Sequence, residues 1–573
     1  MRAWQLLSTR NPLWPLAGLA LLLGVVGTTG LFVARGPRPI KPTYGHSSFT
    51  GPGTRGRFGT VTEPLGKGLF VLSYETILGK DKDLQLQGVS GRLEEVLTTW
   101  KLTSPAARKQ GDVWTLMGPM DLQAVDPGGS GVQGTGAIPD AAPALAWEHG
   151  VWRGLSPLIW DDLRGSGRGR WHLPSGWHRG LDGKFIVEKG PVHWQAAEPG
   201  TLKSLVAERM WAALGFREGH LEKVAAELEG GELKAEAMDI KPDWVLWPAA
   251  LAFVRSDGWH GVAGQGRAPR PPEGHPFDRV EFQAFNARRT MEGGEETLHA
   301  EGTRWTPAGL RLEGGVVYEQ PLDSGRIVLR APRVLQRTAP GPDLPAALPI
   351  GETWAEPQAV LTWGAARSLS SPRIEVRQKQ RHWRILAPAY GKAEMGTFSA
   401  GEGQGTPAKW QFAGPIQATL QDGAALRGDS LVWEGSLWTL DGRPCTLTRL
   451  RQRLSGPRLI RQDDDIQFPK GISGALAASD GDINLRADKG NARANGVLLE
   501  GRVECQGPGW SLQADRISVT LGPGKIVKQV TANGTVVLRG RMGEGRGDAL
   551  DLDPVNQKAD WRGRVKAVTE VRP

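Results

Sequence analysis

The stretch Gly509–Gly524, GWSLQADRISVTLGPG, decides the reading of the fold. Its apolar residues alternate at Leu512 and Ala514, then resume one residue out of step at Ile517, Val519 and Leu521. Alternation of period two marks a strand with one buried face, and a strand that keeps one face buried has no reason to change phase. A phase slip is expected where the strand turns a corner and joins a second sheet, because a bulge or kink adds one residue. The rival is a plain hairpin turn at Asp515-Arg516. Asp-Arg is a poor two-residue hairpin, which favours Asn-Gly or Asp-Gly, so the corner is preferred.

The same pattern recurs. An L-x-[AG]-[DEP] motif begins at Leu116, Leu205, Leu329, Leu426, Leu485 and Leu512. A second motif alternates with it, Gly followed two residues later by Val, at Gly190, Gly314, Gly501, Gly534 and Gly563. Repetition of short strands implies stacked rungs that cover one another. The expected fold is all-β: an elongated two-sheet β-jelly-roll, or folded-over β groove, with repeated rungs. Ten-residue strands about 4.8 Å apart would give roughly 25 rungs and on the order of 100 Å of length.

Composition agrees. The 573 residues include 78 Gly and 41 Pro, which point to many turns, and Trp 23 against Tyr 4 is an unusual balance. The net charge of +9 points to anionic partners such as phosphorylated lipid, a membrane surface or nucleic acid. The 70 basic residues are interspersed with 61 acidic ones, which fits a solvated surface equally, and no nucleic-acid partner is expected. Cys445 and Cys505 form no C-x-x-C, so a zinc or iron–sulfur site is not expected. A Cys445–Cys505 disulfide is possible in an oxidising compartment, and spacing alone does not place the two within bonding range.

Leu13–Ala34, LWPLAGLALLLGVVGTTGLFVA, holds 22 residues without a charge. At 1.5 Å rise that is about 33 Å of helix, enough to cross a bilayer core. A cleaved signal peptide is the rival, with a shorter apolar core and small residues before the cut. Val33 and Phe32 spoil a cut after Ala34, whereas a cut after Gly30 stays open. The expectation is an uncleaved transmembrane helix, placing the chain in the inner membrane as a single-pass protein with its bulk in the periplasm.

The domain reading follows from composition shifts. Residues 1–12 form a cytoplasmic N-terminus, 13–34 the anchor and 35–60 a Pro/Gly tether. Residues 61–240 form a first β region, 241–278 an insertion or linker, 279–456 a second β region and 457–573 a C-terminal jelly-roll. Val125–Leu145, Arg255–Asp278 and Arg337–Gln358 read as long loops or linkers. Leu202–Gly215 is helical by composition yet fits the strand motif, and strand is preferred. Trp244–Val254, WVLWPAALAFV, is too short to span a membrane and reads as a buried or lipid-facing segment.

Catalytic signatures are sparse. No H-E-x-x-H, G-x-S-x-G or Walker A occurs. Gly51–Gly56 matches G-x-G-x-x-G without a preceding strand and reads as a turn. His172, His178 and His193 could approach a metal but read as solvent-facing, and Asp463-Asp464-Asp465 reads as a solvated loop. Neither a metal nor a cofactor is expected, nor enzyme activity. The enzyme alternative is an anchored β-solenoid acting on polysaccharide, for which Asp161-Asp162 beside Trp160 is the faint candidate.

The segment from Gly481 to the C-terminus, with its order of L-x-A-D, G-x-V, L-x-A-D-x-I, G-x-V and Gly-Asp-x-Leu, resembles LptC and LptA, the OstA-like lipopolysaccharide-transport family. GAALRGDSLVWEGSLWTLDGRPCTL and HWRILAPAYGK match more loosely. The resemblance implies a periplasmic bridge that receives lipopolysaccharide or a related lipid from an inner-membrane ABC exporter. It would pass that lipid along an apolar groove to an LptA-like or outer-membrane β partner. Leu485, Ala487, Val503, Leu512, Ala514, Ile517, Val519, Val536 and Leu538 are the candidate groove residues. Trp561, Val565 and Val568 mark the C-terminal edge that would accept the partner by strand addition. An AsmA-like phospholipid bridge is the lipid alternative. The chain is longer than LptC-like proteins, so 61–456 are either additional rungs or separate copies of the fold.

Overall fold

In the computed structural model, residues 55–568 are described, except 66–67, 81, 96–97, 128–130, 141, 164–167, 199, 214–217, 271–276, 292–293, 323–324, 365, 378–381, 542 and 557. Apart from a 3-10 turn at Pro523–Lys525, every described element is a strand, and 48 strands join in one antiparallel sheet. The chain meanders. Each passage pairs with the one before and the one after, and many of them bend near the middle.

The bend is seen where a long strand meets a split rung. Thr99–Gln110 pairs through Ala107–Gln110 with Val113–Met117 and through Thr99–Thr103 with Met120–Val125. The meander therefore has two half-sheets joined along a corner. The half containing Val113–Met117 is called here the first half-sheet, and the half containing Met120–Val125 the second. Hairpins along each outer margin form two lips. The strand-to-strand spacing of about 4.8 Å over roughly thirty rungs corresponds to a length on the order of 150 Å.

The phase slip of the opening stretch is such a corner. Ala514 lies opposite Val503 and Ile517 opposite Leu499, with a register shift between. Leu512, Ala514, Ile517, Val519 and Leu521 are all buried, while Asp515 and Arg516 are exposed together. The motifs L-x-A-D and G-x-V are two halves of one device. The Asp515 carboxylate accepts the Thr535 N–H at 2.9 Å, Asp488 accepts the Arg502 N–H at 3.1 Å, and Asp548 accepts the Arg564 N–H at 3.0 Å. The preceding glycines, Gly534, Gly501 and Gly563, have φ of 93°, 89° and 86°, a region that L side chains rarely adopt. Each acidic group thus satisfies an N–H that the bulge removes from the ladder, and the glycine lets the next rung approach it. The Arg502 side chain and its N–H hold the Asp488 carboxyl below the ordinary carboxylate range.

Several expectations are corrected. No helix among the described residues is long and apolar enough to cross a membrane, so the single-pass inner-membrane placement is not sustained. The reason is the alternation itself, which interrupts apolar runs with polar residues and makes the described chain strand. The segment Leu13–Ala34 and most of the tether lie outside the described residues, and the tether's end belongs to the first strand, Arg55–Leu65. Two of the three stretches read as loops carry strands, Val132–Ile138 and Pro143–Glu148 in the first and His260–Ala263 and Gln265–Pro269 in the second, whereas the third is loop up to Glu352–Glu356, as expected. Glycine and proline there fall at corners and lips. Only the connection before Glu352 is a long described loop. It folds outward, where Leu344 and Leu348 join Ala308, Leu335 and Trp354 in a small cluster apart from the main core. Trp244–Trp247 and Leu251–Arg255 are two halves of one rung, and Leu202–Ala207 with Arg209–Ala212 are strand as expected.

Candidate functional site: the apolar interior and its seam

The inward faces of the half-sheets form one continuous apolar core running from Val61 to Leu552. Tryptophan fills its wide part. Trp100 of the second half-sheet lies 5.1 Å from Trp152 and 6.1 Å from Phe185 of the first, so the two faces touch across the interior. Trp433 and Trp438 meet Phe398 edge-on at 5.7 and 5.6 Å. From Leu459 onward no tryptophan is fully buried, and Trp510 and Trp561 pack only at the margin of the core. The tryptophan excess is thus a filling device, since large rigid rings span the gap between two sheets.

The indoles leave polar atoms inside. Trp147, Trp160, Trp247, Trp363, Trp410 and Trp438 each bury an Nε1–H without a hydrogen-bond partner. A buried indole N–H usually finds an acceptor. A cavity of about 60 Å³, lined by Trp259, Phe285, Leu298, Tyr318, Leu329 and Val376 among others, lies in the same interior.

No strand pairing joins the two lips among the described residues. Side chains bridge the seam instead. Lys109 of the first lip binds Glu63 of the second. Arg179 of the first lip, 2% exposed, donates from Nη2 to Glu95 Oε2 at 2.6 Å and lies over Trp100 and Trp152 at 4.9 and 5.3 Å. The same Glu95 oxygen accepts the Trp100 Nε1–H at 3.2 Å. Arg255 of the second lip forms two hydrogen bonds with Asp257 and reaches Gln336 of the first at 3.5 Å. Arg255 and Gln336 both line the 60 Å³ cavity, so this clasp closes over it. Among the described residues, backbone also crosses the seam where the Thr201 N–H donates to the Phe277 oxygen at 2.6 Å.

Sequence reasoning missed these clasps. A signal was present: Lys109, Arg255 and Arg449 keep the buried parity of their strands, in phase with Ala107, Phe253 and Leu447. A cation on the apolar parity beside a turn is the mark of a lip residue.

The expected groove residues are placed as follows. Leu485, Ala487, Val503, Leu512, Ala514, Ile517, Val519 and Val536 all belong to the buried core, and Leu538 is partly buried against it. The C-terminal rung is split by a corner at Gly563-Arg564. Trp561 lies in Lys558–Arg562, half-buried, Val565 is exposed between the halves, and Val568 ends Lys566–Val568. Asp161 and Asp162 point to opposite faces, as successive strand residues must. Asp161 pairs with Arg170 at 2.7 Å on the outside, whereas Asp162 is buried. They do not share a cleft. His172 and His193 are cross-strand neighbours on the outer face, and His178 is on the other half-sheet. No group of potential metal ligands occurs among the described residues. Asp463-Asp464-Asp465 is a lip turn whose carboxylates serve Arg461 and Arg493.

The possible Cys445–Cys505 disulfide is not formed. Both thiols are free and buried, on strands Leu437–Arg449 and Gly496–Gly507 with other rungs between. Burial pushes the Cys445 thiol up to about 11, with Asp441 adding to the shift, and Cys505 up to about 12. At pH 8 the thiolate fraction is then about one in a thousand or less. Iodoacetamide should leave both thiols unlabelled over hours in the folded chain and label both in guanidinium. Labelling of the folded chain at the rate of a free thiol would contradict this burial.

Neither a family model nor a curated protein matches the chain.

Proposed function

We propose that the chain is a lipid conduit that holds acyl chains between its two half-sheets, the role that the LptC/LptA resemblance implies. The observation that supports this reading best is an unbroken apolar interior whose long side is closed by side chains rather than by a backbone ladder. Such a seam can part without breaking a sheet, and the lipid's hydrocarbon then replaces core contacts of similar polarity. Buried indole N–H groups without acceptors offer donors for ester or amide carbonyls near the head of an acyl chain. The lipid proposed is lipopolysaccharide or a related amphiphile, supplied by an ABC exporter and passed to an LptA-like β partner. The last rung, with Trp561, Val565 and Val568, is the proposed docking edge.

The test is extraction of the purified full-length chain and mass spectrometry of its lipids. Acyl lipid should accompany it at about one molecule per chain or more, at a level that an unrelated β protein purified alongside lacks. In cells, a photo-crosslinker at Val519, which faces inward, should label lipid several-fold more strongly than one at Thr520, which faces outward. A chain free of acyl lipid, or equal labelling at both positions, would overturn the reading.

A further inference from the structure

The lip around Arg449, Gln452 and Arg461 differs from the other clasps. All three side chains sit on the buried parity of their strands and are 4%, 1% and 6% exposed. Arg449 and Gln452 flank one turn of the second lip, and Arg461 belongs to the first. Arg449 Nη1 crosses the seam to the Arg493 carbonyl at 3.1 Å. The register places Arg461 opposite Ile466 and Ile466 opposite Ala492, the neighbour of Arg493, so the carbonyl that Arg449 reaches lies close to the rung of Arg461, and the charge of Arg449 acts on Arg461.

Donors there outnumber acceptors. Arg449 Nε, Arg461 Nε and Gln452 Nε2 are buried without a hydrogen-bond partner. Asp422, itself 44% exposed, pairs with Arg449 at 2.7 Å. Arg461 pairs at 3.8 Å with Asp464, which is fully in solvent, and also feels the charge of Asp422. Water screens a charge placed so, leaving the buried guanidinium weakly compensated. Burial pushes Arg461 below its ordinary range, Asp422 and Asp464 oppose this, and Arg449 adds to it. Two buried cations with three idle N–H groups have the chemistry of an oxyanion site.

We infer that Arg449, Gln452 and Arg461 form a binding site for a phosphate group at the margin of the apolar interior. Arg449 and Arg461 supply charge from opposite lips, and Gln452 supplies a neutral donor from the turn it shares with Arg449. A phosphate there would be held by charge-assisted hydrogen bonds and would tie the lips together. Its position at the edge of an acyl-compatible interior suits the phosphorylated head of the lipid proposed above, and to that extent the assignment rests on that reading. Free phosphate presents the same oxygens.

The test uses the purified full-length chain and inorganic phosphate, with chloride at matched ionic strength as the reference. Binding is followed by hydrogen exchange over 449–452 and 461–466. Phosphate should slow exchange there, saturably, where chloride does not. Arg461→Gln should weaken phosphate binding by roughly tenfold to a hundredfold, the loss of one charge-assisted hydrogen bond. Gln452→Leu removes a donor while keeping the volume and should weaken binding in the same direction, which guards against a misfolded arginine variant. Arg453→Gln, exposed on the outer face, should bind as the unaltered chain does. Dodecyl phosphate and dodecyl maltoside separate the sources. Tighter binding of dodecyl phosphate than of inorganic phosphate supports a lipid head group, and equal binding of the two supports free phosphate. Dodecyl maltoside should not protect these segments. No phosphate effect beyond chloride, or unchanged binding in both variants, would overturn the site. Phosphate binding in a chain that carries no acyl lipid would leave this site standing and the conduit reading overturned.

Discussion

Gly534→Ala is expected to destabilise the C-terminal rungs by about 3–4 kcal/mol. Gly534 holds φ at 93°, and a non-glycine residue so placed costs of order 1–3 kcal/mol. A Cβ there would also overlap the Asp515 side chain. Asp515 would swing away from the Thr535 N–H, and a hydrogen bond to a charged group contributes about 1.5–3 kcal/mol. The molecule is a row of rungs, so the loss is local rather than a single shift of global stability. Amide exchange over Trp510–Leu521 and Val527–Gly540 should accelerate by roughly a hundredfold to a thousandfold, while Thr99–Gln110 is unchanged. Gly540→Ala is the control, because Gly540 has no positive φ and open space around it. Equal acceleration by both substitutions would show that the corner device does not hold these rungs.

Arg179→Ala should open the seam near Trp100, at a cost of about 3–4 kcal/mol. The guanidinium is almost wholly buried between Trp100 and Trp152 and binds Glu95 from the opposite lip. Removing one member of a buried ion pair costs about 3–5 kcal/mol, and here the value is discounted because the Glu95 side chain is 27% exposed and can be rehydrated. The lost stacking on two indoles adds about 1–2 kcal/mol. Proteolysis and amide exchange should increase at Asp83–Glu94, at Thr99–Gln110 and around His178-Arg179. The comparison is Arg209→Ala, which breaks an outer-face pair with Glu222 whose side chains are 63% and 44% exposed, and should cost less than about 0.5 kcal/mol. Similar effects from the two variants would mean that the seam is not held by Arg179.

Both predictions concern features of different legibility. The corner was readable, because side-chain direction has a period of two along a strand and one inserted residue flips every later position. Leu512, Ala514, Ile517 and Val519 could all be assigned inward from spacing alone, and all are buried. The carboxylate that caps the corner was visible as the Asp of L-x-A-D, although its partner was not. That partner is an N–H on the next rung, twenty residues on at Asp515–Thr535 and fourteen at Asp488–Arg502, and nothing local encodes the distance. The strands inside Val125–Leu145 and Arg255–Asp278 were hidden for a related reason. Gly and Pro mark any interruption of a ladder, whether a corner, a lip or a domain boundary, and composition does not distinguish them.

By itself, then, the sequence determined a β chain of repeated, once-bent rungs with one apolar face, because alternation and its slips are local properties of the backbone. Tertiary structure alone decided what faces what. Arg179 meets Glu95 across 84 residues, and Arg255 meets Gln336 across 81. Arg449 and Arg461 come together from opposite lips. These meetings depend on how many rungs lie between two lip turns and on how the stacked half-sheets face each other. Both are sums over the whole stack, so a seam residue's partner is fixed only once all the intervening rungs are in place.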